Sequence, residues 1–179
     1  MPYVRYFARG RSSSRGPRFS QCEVICGSIL NTGFSDNYFD CAAVVGGLHH
    51  LHPNLNGAVT EIHRILKPSG YFCFVEPHAG SLPDLLRQFW YKYDTLFASN
   101  EAAIQMGELT SRFSDDFAFL KLEYMGNLAY LLVFNSMVFR VPLWLKQYYT
   151  TPLVVMESII NKLQGRRLSC YVAAQWRKK

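Results

Sequence analysis

Residues 41–75 read CAAVVGGLHHLHPNLNGAVTEIHRILKPSGYFCFV, and this stretch decides the fold class. Cys41 to Val45 is an unbroken apolar run of strand length that stops at Gly46-Gly47. Tyr71 to Val75 is a second such run, closed by Glu76-Pro77. Continuous rather than alternating apolarity predicts strands buried on both faces, the habit of parallel strands. Between them Leu55, Ala58, Val59, Ile62, Ile65 and Leu66 recur at the spacing of one helix face. Pro53-Asn54 can open that helix, and Lys67-Pro68-Ser69-Gly70 stops it. Strand, helix and strand make a βαβ unit with a right-handed crossover.

Outward from this unit, Cys22 to Cys26 predicts a short strand ended by Gly27. Residues 1–21 form a basic head whose Arg11–Pro17 cluster of Ser, Arg, Gly and Pro reads as loop or poorly ordered chain. Leu82 to Phe97 keeps helical spacing with Pro83 in its first turn, and Glu101 to Arg112 predicts another helix. Phe117–Tyr124 and Leu128–Phe134 read as strands, or as one bent hairpin around Gly126-Asn127. Thr151-Pro152 opens a helix to Leu163, ended by Gly165. Leu168 to Trp176 alternates at period two, a half-buried strand. The expected organisation is a head over 1–21 and one α/β domain over 22–179, with helical insertions at about 80–112 and 135–163.

Composition narrows the class. The 179 residues are 49% hydrophobic and 18% charged, which excludes disordered, collagenous and disulfide-scaffold chains. The net charge of +6 is concentrated in Arg5, Arg9, Arg11, Arg15 and Arg18, with no acid among the first eighteen residues. The remainder is nearly neutral, so nothing calls for a nucleic-acid partner. Cys22, Cys26, Cys41, Cys73 and Cys170 show no zinc or redox spacing and read as free thiols in a reducing, cytoplasmic compartment. No secretory signal is present, although an arginine- and serine-rich, acid-free start also fits an organellar transit peptide. Leu128–Leu145 is 18 residues with a single charge, Arg140. It falls short of the roughly 20 apolar residues of a spanning helix, and predicts a strand followed by a buried helix. The alternative is an apolar wall against a lipid substrate or a membrane surface.

Neither Gly-x-Gly-x-x-Gly nor a Walker-type Gly-Lys-Ser/Thr occurs, and no Gly-x-Ser-x-Gly elbow supports serine catalysis. All five histidines, His49, His50, His52, His63 and His78, fall within 30 residues. No carboxylate stands at ligand spacing beside them, so no metal site is expected. His49 or His50 lines the cleft above the strand ends, where a neutral imidazole can orient a substrate or accept a proton. The alternative is a loop histidine satisfied by local hydrogen bonds. Glu76 points to the same cleft or caps the following helix.

Phe34-Ser-Asp-Asn-Tyr-Phe-Asp40, the turn Gly46-Gly-Leu-His-His-Leu51 and Glu61-Ile-His-Arg-Ile-Leu-Lys-Pro-Ser-Gly70 resemble the class I S-adenosylmethionine-dependent methyltransferases. In that family a phenylalanine-aspartate pair precedes the fourth strand, Leu-His-His follows it, and a Glu…Arg…Leu-Lys-Pro-Gly-Gly run leads into the fifth. Ser69 stands where the family usually has glycine. The resemblance covers Cys22 to Glu76 and implies a Rossmann-like α/β sheet, mostly parallel with an antiparallel last strand, in the family order 3-2-1-4-5-7-6. The first two strands have no counterpart, nor do the glycine-rich loop and the ribose-binding acid that accompany them. Tyr6–Arg9 is similar to a fragment of the helix after the second strand.

The resemblance further implies S-adenosylmethionine as cofactor. Ser28 would stand at the adenine amine in place of an acid, Ile29 beside the adenine ring, and Val45, Gly46 and Gly47 along the methionine part. His49 or His50 would serve as base toward a small-molecule methyl acceptor. An unpaired strand edge would call for a partner chain or a dimer, or mark the sequence as part of a longer product. The alternative function is a non-catalytic remnant of the fold that acts as an interaction protein.

Overall fold

The computed structural model describes residues 4–9, 22–93, 101–134 and 141–179. Strand β3 (Phe39–Val45), helix α1 (Leu55–Ile65) and strand β4 (Leu66–Pro77) form the expected βαβ unit, with β3 and β4 parallel. Two further strands, β5 (Phe117–Met125) and β6 (Tyr171–Lys178), complete a sheet of order β3-β4-β6-β5. β6 is antiparallel to both β4 and β5, so β3, β4 and β5 share one direction and β6 alone is reversed. This is the 4-5-7-6 part of the order that the resemblance implies.

β2 (Cys22–Gly27) forms where its β-prone residues place it, but it pairs antiparallel with β1 (Val4–Arg9) in a separate two-stranded ribbon. Val4–Arg9 is therefore a strand, not a poorly ordered head or helix remnant, in keeping with its valine and aromatic content. The Arg11–Pro17 cluster lies outside the described residues.

The core lies on one face of the large sheet. Phe72, Phe74, Phe117, Val172, Ala174 and Trp176 meet Ala58, Val59 and Ile62 of α1, together with Met106 and Leu109 of α3 (Met106–Arg112). The opposite face is not covered as the unbroken apolar runs predict. Cys41, Ala43 and Val45 are exposed, Val45 by 77%, and Cys73 and Val75 are only half-buried. Both-face burial requires helices on both sides, and among the described residues the helices that enter the core do so on one side.

Between Phe39–Leu66 and Cys41–Tyr71 the register of β3 and β4 shifts, so that residues 67–70 bulge opposite Asp40. A Cβ on Gly70 would lie 2.8 Å from the Lys67 carbonyl oxygen, which explains the glycine, whereas Ser69 takes the left-handed region with φ 63°. A non-glycine residue there costs about 1–2 kcal/mol, which gives physical content to the family's preference for glycine at this position.

The insertions differ in detail from expectation. α2 (Leu82–Tyr93) starts as predicted, and its remainder to Phe97 lies outside the described residues. Glu101–Gln105 is extended rather than helical and bridges to β4 through His78 and Ile104. Leu128–Phe134 is not a strand but a helical segment with a π-helical turn at Tyr130–Phe134. Glu157 on α5 (Thr150–Leu163) decides this by accepting the Ala129 and Tyr130 amides at 2.6 and 3.1 Å. The short α4 (Leu143–Lys146) exposes Leu143 and Trp144 rather than burying them. Among the described residues no helix is long and apolar enough to cross a membrane.

Glu61 anchors the loop after β2 to α1. Its carboxylate accepts from the Thr32 amide at 2.8 Å, the Thr32 hydroxyl at 2.6 Å and the Arg64 guanidinium at 2.7 Å. The guanidinium, followed by the two Thr32 bonds, outweighs burial and holds the carboxyl down at about 2. Its ordinary value is higher, so its contribution is complete above about pH 4.5 and is lost as pH falls toward 2. Allowing for solvent access at Arg64, about 2 kcal/mol is at stake. Urea midpoints between pH 5 and pH 2.5 should fall more steeply for the wild type than for Glu61→Gln; equal slopes would refute the assignment.

Candidate functional site

The site is built at the carboxyl ends of β3 and β4. β3 runs out at Val45, and Gly46 turns the chain with φ 60° while its amide donates to the Val75 carbonyl at 2.9 Å. The chain then enters a 3-10 turn, Leu48–Leu51. Glu76, the buried penultimate residue of β4, reaches back to this turn. One of its oxygens accepts the Gly47 and Leu48 amides at 2.7 and 2.8 Å, and the other meets His49 Nδ1 at 2.8 Å. Glu76 thus caps the turn after β3 rather than α2. The start of α2 is served instead by Ser81, which accepts the Asp84 amide, and by Asp84, which accepts that of Gly80.

A buried carboxylate opposite Nδ1 makes that nitrogen the donor and leaves the lone pair of His49 on Nε2. The His50 ring lies 3.9 Å from that of His49, centroid to centroid, and its Nδ1 is 3.2 Å from Glu101 Oε1. Glu101 arrives on the extended segment 101–105, held by the Ala102 amide to the His49 carbonyl (3.1 Å) and the Ile104 amide to the Pro77 carbonyl (2.9 Å). The carboxylate that sequence spacing did not offer the histidines therefore comes from a residue some fifty positions away. No periodicity or motif signals it.

The other histidines disperse. His52 is half-buried, and its Nε2 has no hydrogen-bond partner among the described residues. His63 sits edge-on to Phe117, and His78 is buried with Nε2 2.7 Å from Ser169 Oγ. Burial pushes the pKa of both rings down. Of the residues matched to the cofactor, Val45, Gly46 and Gly47 sit together at the strand ends. Ser28 is exposed in the turn after β2, where its hydroxyl accepts the Leu30 amide at 3.3 Å, and Ile29 is 5% exposed within the core.

A separate cavity of about 980 Å³ opens beyond the end of β4. Ser81, Leu82, Asp84 and Leu85 line one side, and Gln105 and Arg166 are also in its wall. The segment 101–105 borders both features, with Glu101 at the histidine pair and Gln105 on the cavity. Leu82 and Leu85 are more than half exposed, as are Leu86 and Phe89 on the same helix.

An α/β sheet of this order, with its parallel β3–β4 pair, is a Rossmann-like fold. A family model described as a methyltransferase domain matches residues 2–74. That match spans less than half of the chain, and over those residues the chain is similar to methyltransferase domains. It is 40% identical over 57 residues to 24-methylenesterol C-methyltransferase 2 of Oryza sativa subsp. japonica, a match covering 32% of this chain and 15% of that protein. It is 32% identical over 80 residues to a demethylmenaquinone methyltransferase of Desulfitobacterium hafniense (strain Y51), covering 45% and 31%. The chain thus matches less than a third of the length of either relative. A SAM-dependent methyltransferase from Archaeoglobus fulgidus shares the fold, with a TM-score of 0.56 and 17% identity over 90% of this chain and 70% of that one.

Proposed function

We propose that the chain carries the acceptor side and the methionine side of a methyltransferase site, with S-adenosylmethionine as cofactor and a small molecule as methyl acceptor. One observation carries the reading. Glu76 fixes the turn at Gly47–His49 just outside the carboxyl ends of two parallel strands, where ligands bind in open α/β sheets. The residues present fit the methionine part of the cofactor: a Cβ added at Gly46 would have nothing within 4 Å, so space stands open above the turn. When bound, the cofactor supplies an electrophilic methyl group on sulfur.

The chain's own contribution is position. Glu76 orients His49 so that Nε2 can take the proton of an acceptor hydroxyl or amine, and Glu101 holds His50 alongside. The apolar rim of α2 at Leu82 and Leu85 leads into the cavity beyond β4. Relatives named for a methylenesterol and for demethylmenaquinone favour a small-molecule acceptor over a protein or nucleic acid.

Calorimetric titration of S-adenosylhomocysteine into the full chain tests this. A micromolar ligand has about 8 kcal/mol of binding free energy. Two charged hydrogen-bond partners and the amides of a glycine-rich loop, not found in these 179 residues, account for about 4–6 kcal/mol of it. Saturable binding near the millimolar range is expected, abolished by Val45→Trp at an exposed position that a folded chain tolerates. No saturable heat from the folded wild type, or heat indifferent to Val45→Trp, would overturn the reading in favour of a non-catalytic interaction protein.

A further inference from the structure

The histidine pair and Glu101 form a donor set that methyl transfer does not by itself require. One ring nitrogen from each of His49 and His50 and one carboxylate oxygen of Glu101 all lie within 4.8 Å of one another, and none of the three residues is fully exposed. Among the described residues this is the group of histidine, cysteine and acidic side chains so arranged. We propose that His49, His50 and Glu101 bind a divalent transition-metal ion of zinc's class at the end of β3.

The chemistry of the donors selects the ion. Two imidazoles and one carboxylate suit zinc, cobalt(II) or iron(II), and do not suit magnesium or calcium, which take oxygen ligands. Three protein ligands leave a fourth position for water or substrate, the habit of a working rather than a structural site. A second, independent feature points the same way. Glu76 is buried and takes Nδ1 of His49 at 2.8 Å, the carboxylate–histidine pairing that orients an imidazole and raises the basicity of its other nitrogen toward a metal. The backbone is prepared as well. The Ala102 amide donates to the His49 carbonyl at 3.1 Å, so the segment bearing Glu101 is tied to the turn bearing both histidines.

An ion at this point would replace the contact between His50 and Glu101 with two metal–ligand bonds. It would also occupy the Nε2 lone pair of His49, so that the polarising of an acceptor oxygen passes from imidazole to metal. Binding of the ion itself does not depend on whether the chain transfers methyl groups, so the two readings can fail separately.

The test is titration of cobalt(II) into the full, reduced chain, followed by visible absorption and then by competition with zinc. The expected result is one equivalent of cobalt with d–d bands of low coordination number, displaced by zinc. Glu101→Gln, nearly isosteric, should weaken zinc by tenfold or more, in the range by which supporting groups already affect metal affinity. His50→Ala should abolish the bands, and His63→Gln, away from the set, should leave them unchanged. Far-UV circular dichroism reports whether each variant is folded; should His50→Ala not fold, Glu101→Gln decides. Absence of d–d bands, a near-ultraviolet thiolate charge-transfer band marking a cysteine site, or zinc affinity unchanged in Glu101→Gln would overturn the proposal.

Discussion

Glu76→Ala is expected to destabilise the fold by about 3–5 kcal/mol, the size of effect seen when one partner of a buried charged pair is removed. The substitution leaves the Gly47 and Leu48 amides and His49 Nδ1 without their acceptor, where Glu76 and Leu48 are fully buried and Gly47 and His49 partly so. Each buried orphan donor costs about 1–3 kcal/mol, and the turn would give up its geometry to find solvent. Urea denaturation at neutral pH measures the loss. Glu76→Gln separates charge from shape, because its amide oxygen can still accept the Gly47 and Leu48 amides while its NH2 group opposes the Nδ1–H of His49. It should retain more than half of the stability lost in the alanine variant, while His49 changes tautomer in 15N-detected NMR. Equal losses in both variants would mean that the turn is held by something other than this carboxylate.

Trp176→Ala should cost a similar amount, about 3–5 kcal/mol, for a different reason. Trp176 is 1% exposed on β6, and its ring meets Phe72, Phe74, Phe117 and Phe119 at centroid distances of 5.8, 5.1, 5.5 and 4.7 Å. These rings come from β4 and β5, the two strands that β6 joins. Its removal empties the centre of the only aromatic cluster that spans all three of these strands among the described residues. Against a typical domain stability of about 5–15 kcal/mol, the variant stands near the threshold of folding. Loss of the near-ultraviolet circular dichroism signal at 25 °C, with far-UV helicity largely kept, is the expected signature. A shift of under about 1 kcal/mol in the urea transition would show that the sheet is held chiefly by its other contacts.

The βαβ unit was legible because α1 carries its apolar residues at helical spacing over three turns and its neighbours are bounded by Gly and Pro on both sides. A tertiary contact could add nothing to that signal. Leu128–Phe134 was not legible for the opposite reason: seven apolar and aromatic residues show no period, and only Glu157, reaching from α5 to two amides, makes the segment helical. The unbroken runs in β3 and β4 indicated parallel pairing correctly and double-sided burial incorrectly, because apolarity records what a surface tolerates and not what covers it.

The candidate site divides along the same line. Val45–Gly47, His49 and Glu76 could be placed near one another because adjacent parallel strands end together. Glu101 could not, since the bridge of Ile104 to His78 that brings it there is a contact between segments with no shared pattern. Ile29, matched to the adenine ring, proves to be a core residue, a distinction that position in a motif does not make.

The placement of β6 has a consequence for the order of assembly. β4 and β5 do not pair with each other; β6, which follows them both in sequence, lies between them and pairs with each. A nascent or refolding chain can therefore complete the local βαβ unit early. Its sheet still waits for residues 171–178, and Lys178 must arrive before its ammonium can bond the His63 and Leu66 carbonyls, both at 2.8 Å, that close the end of α1. Until then β4 offers a bare, phenylalanine-rich edge to any other strand in reach. Non-local pairing of this kind is slow, so the yield of soluble protein is set by a race between the arrival of β6 and the collision of two unfinished chains.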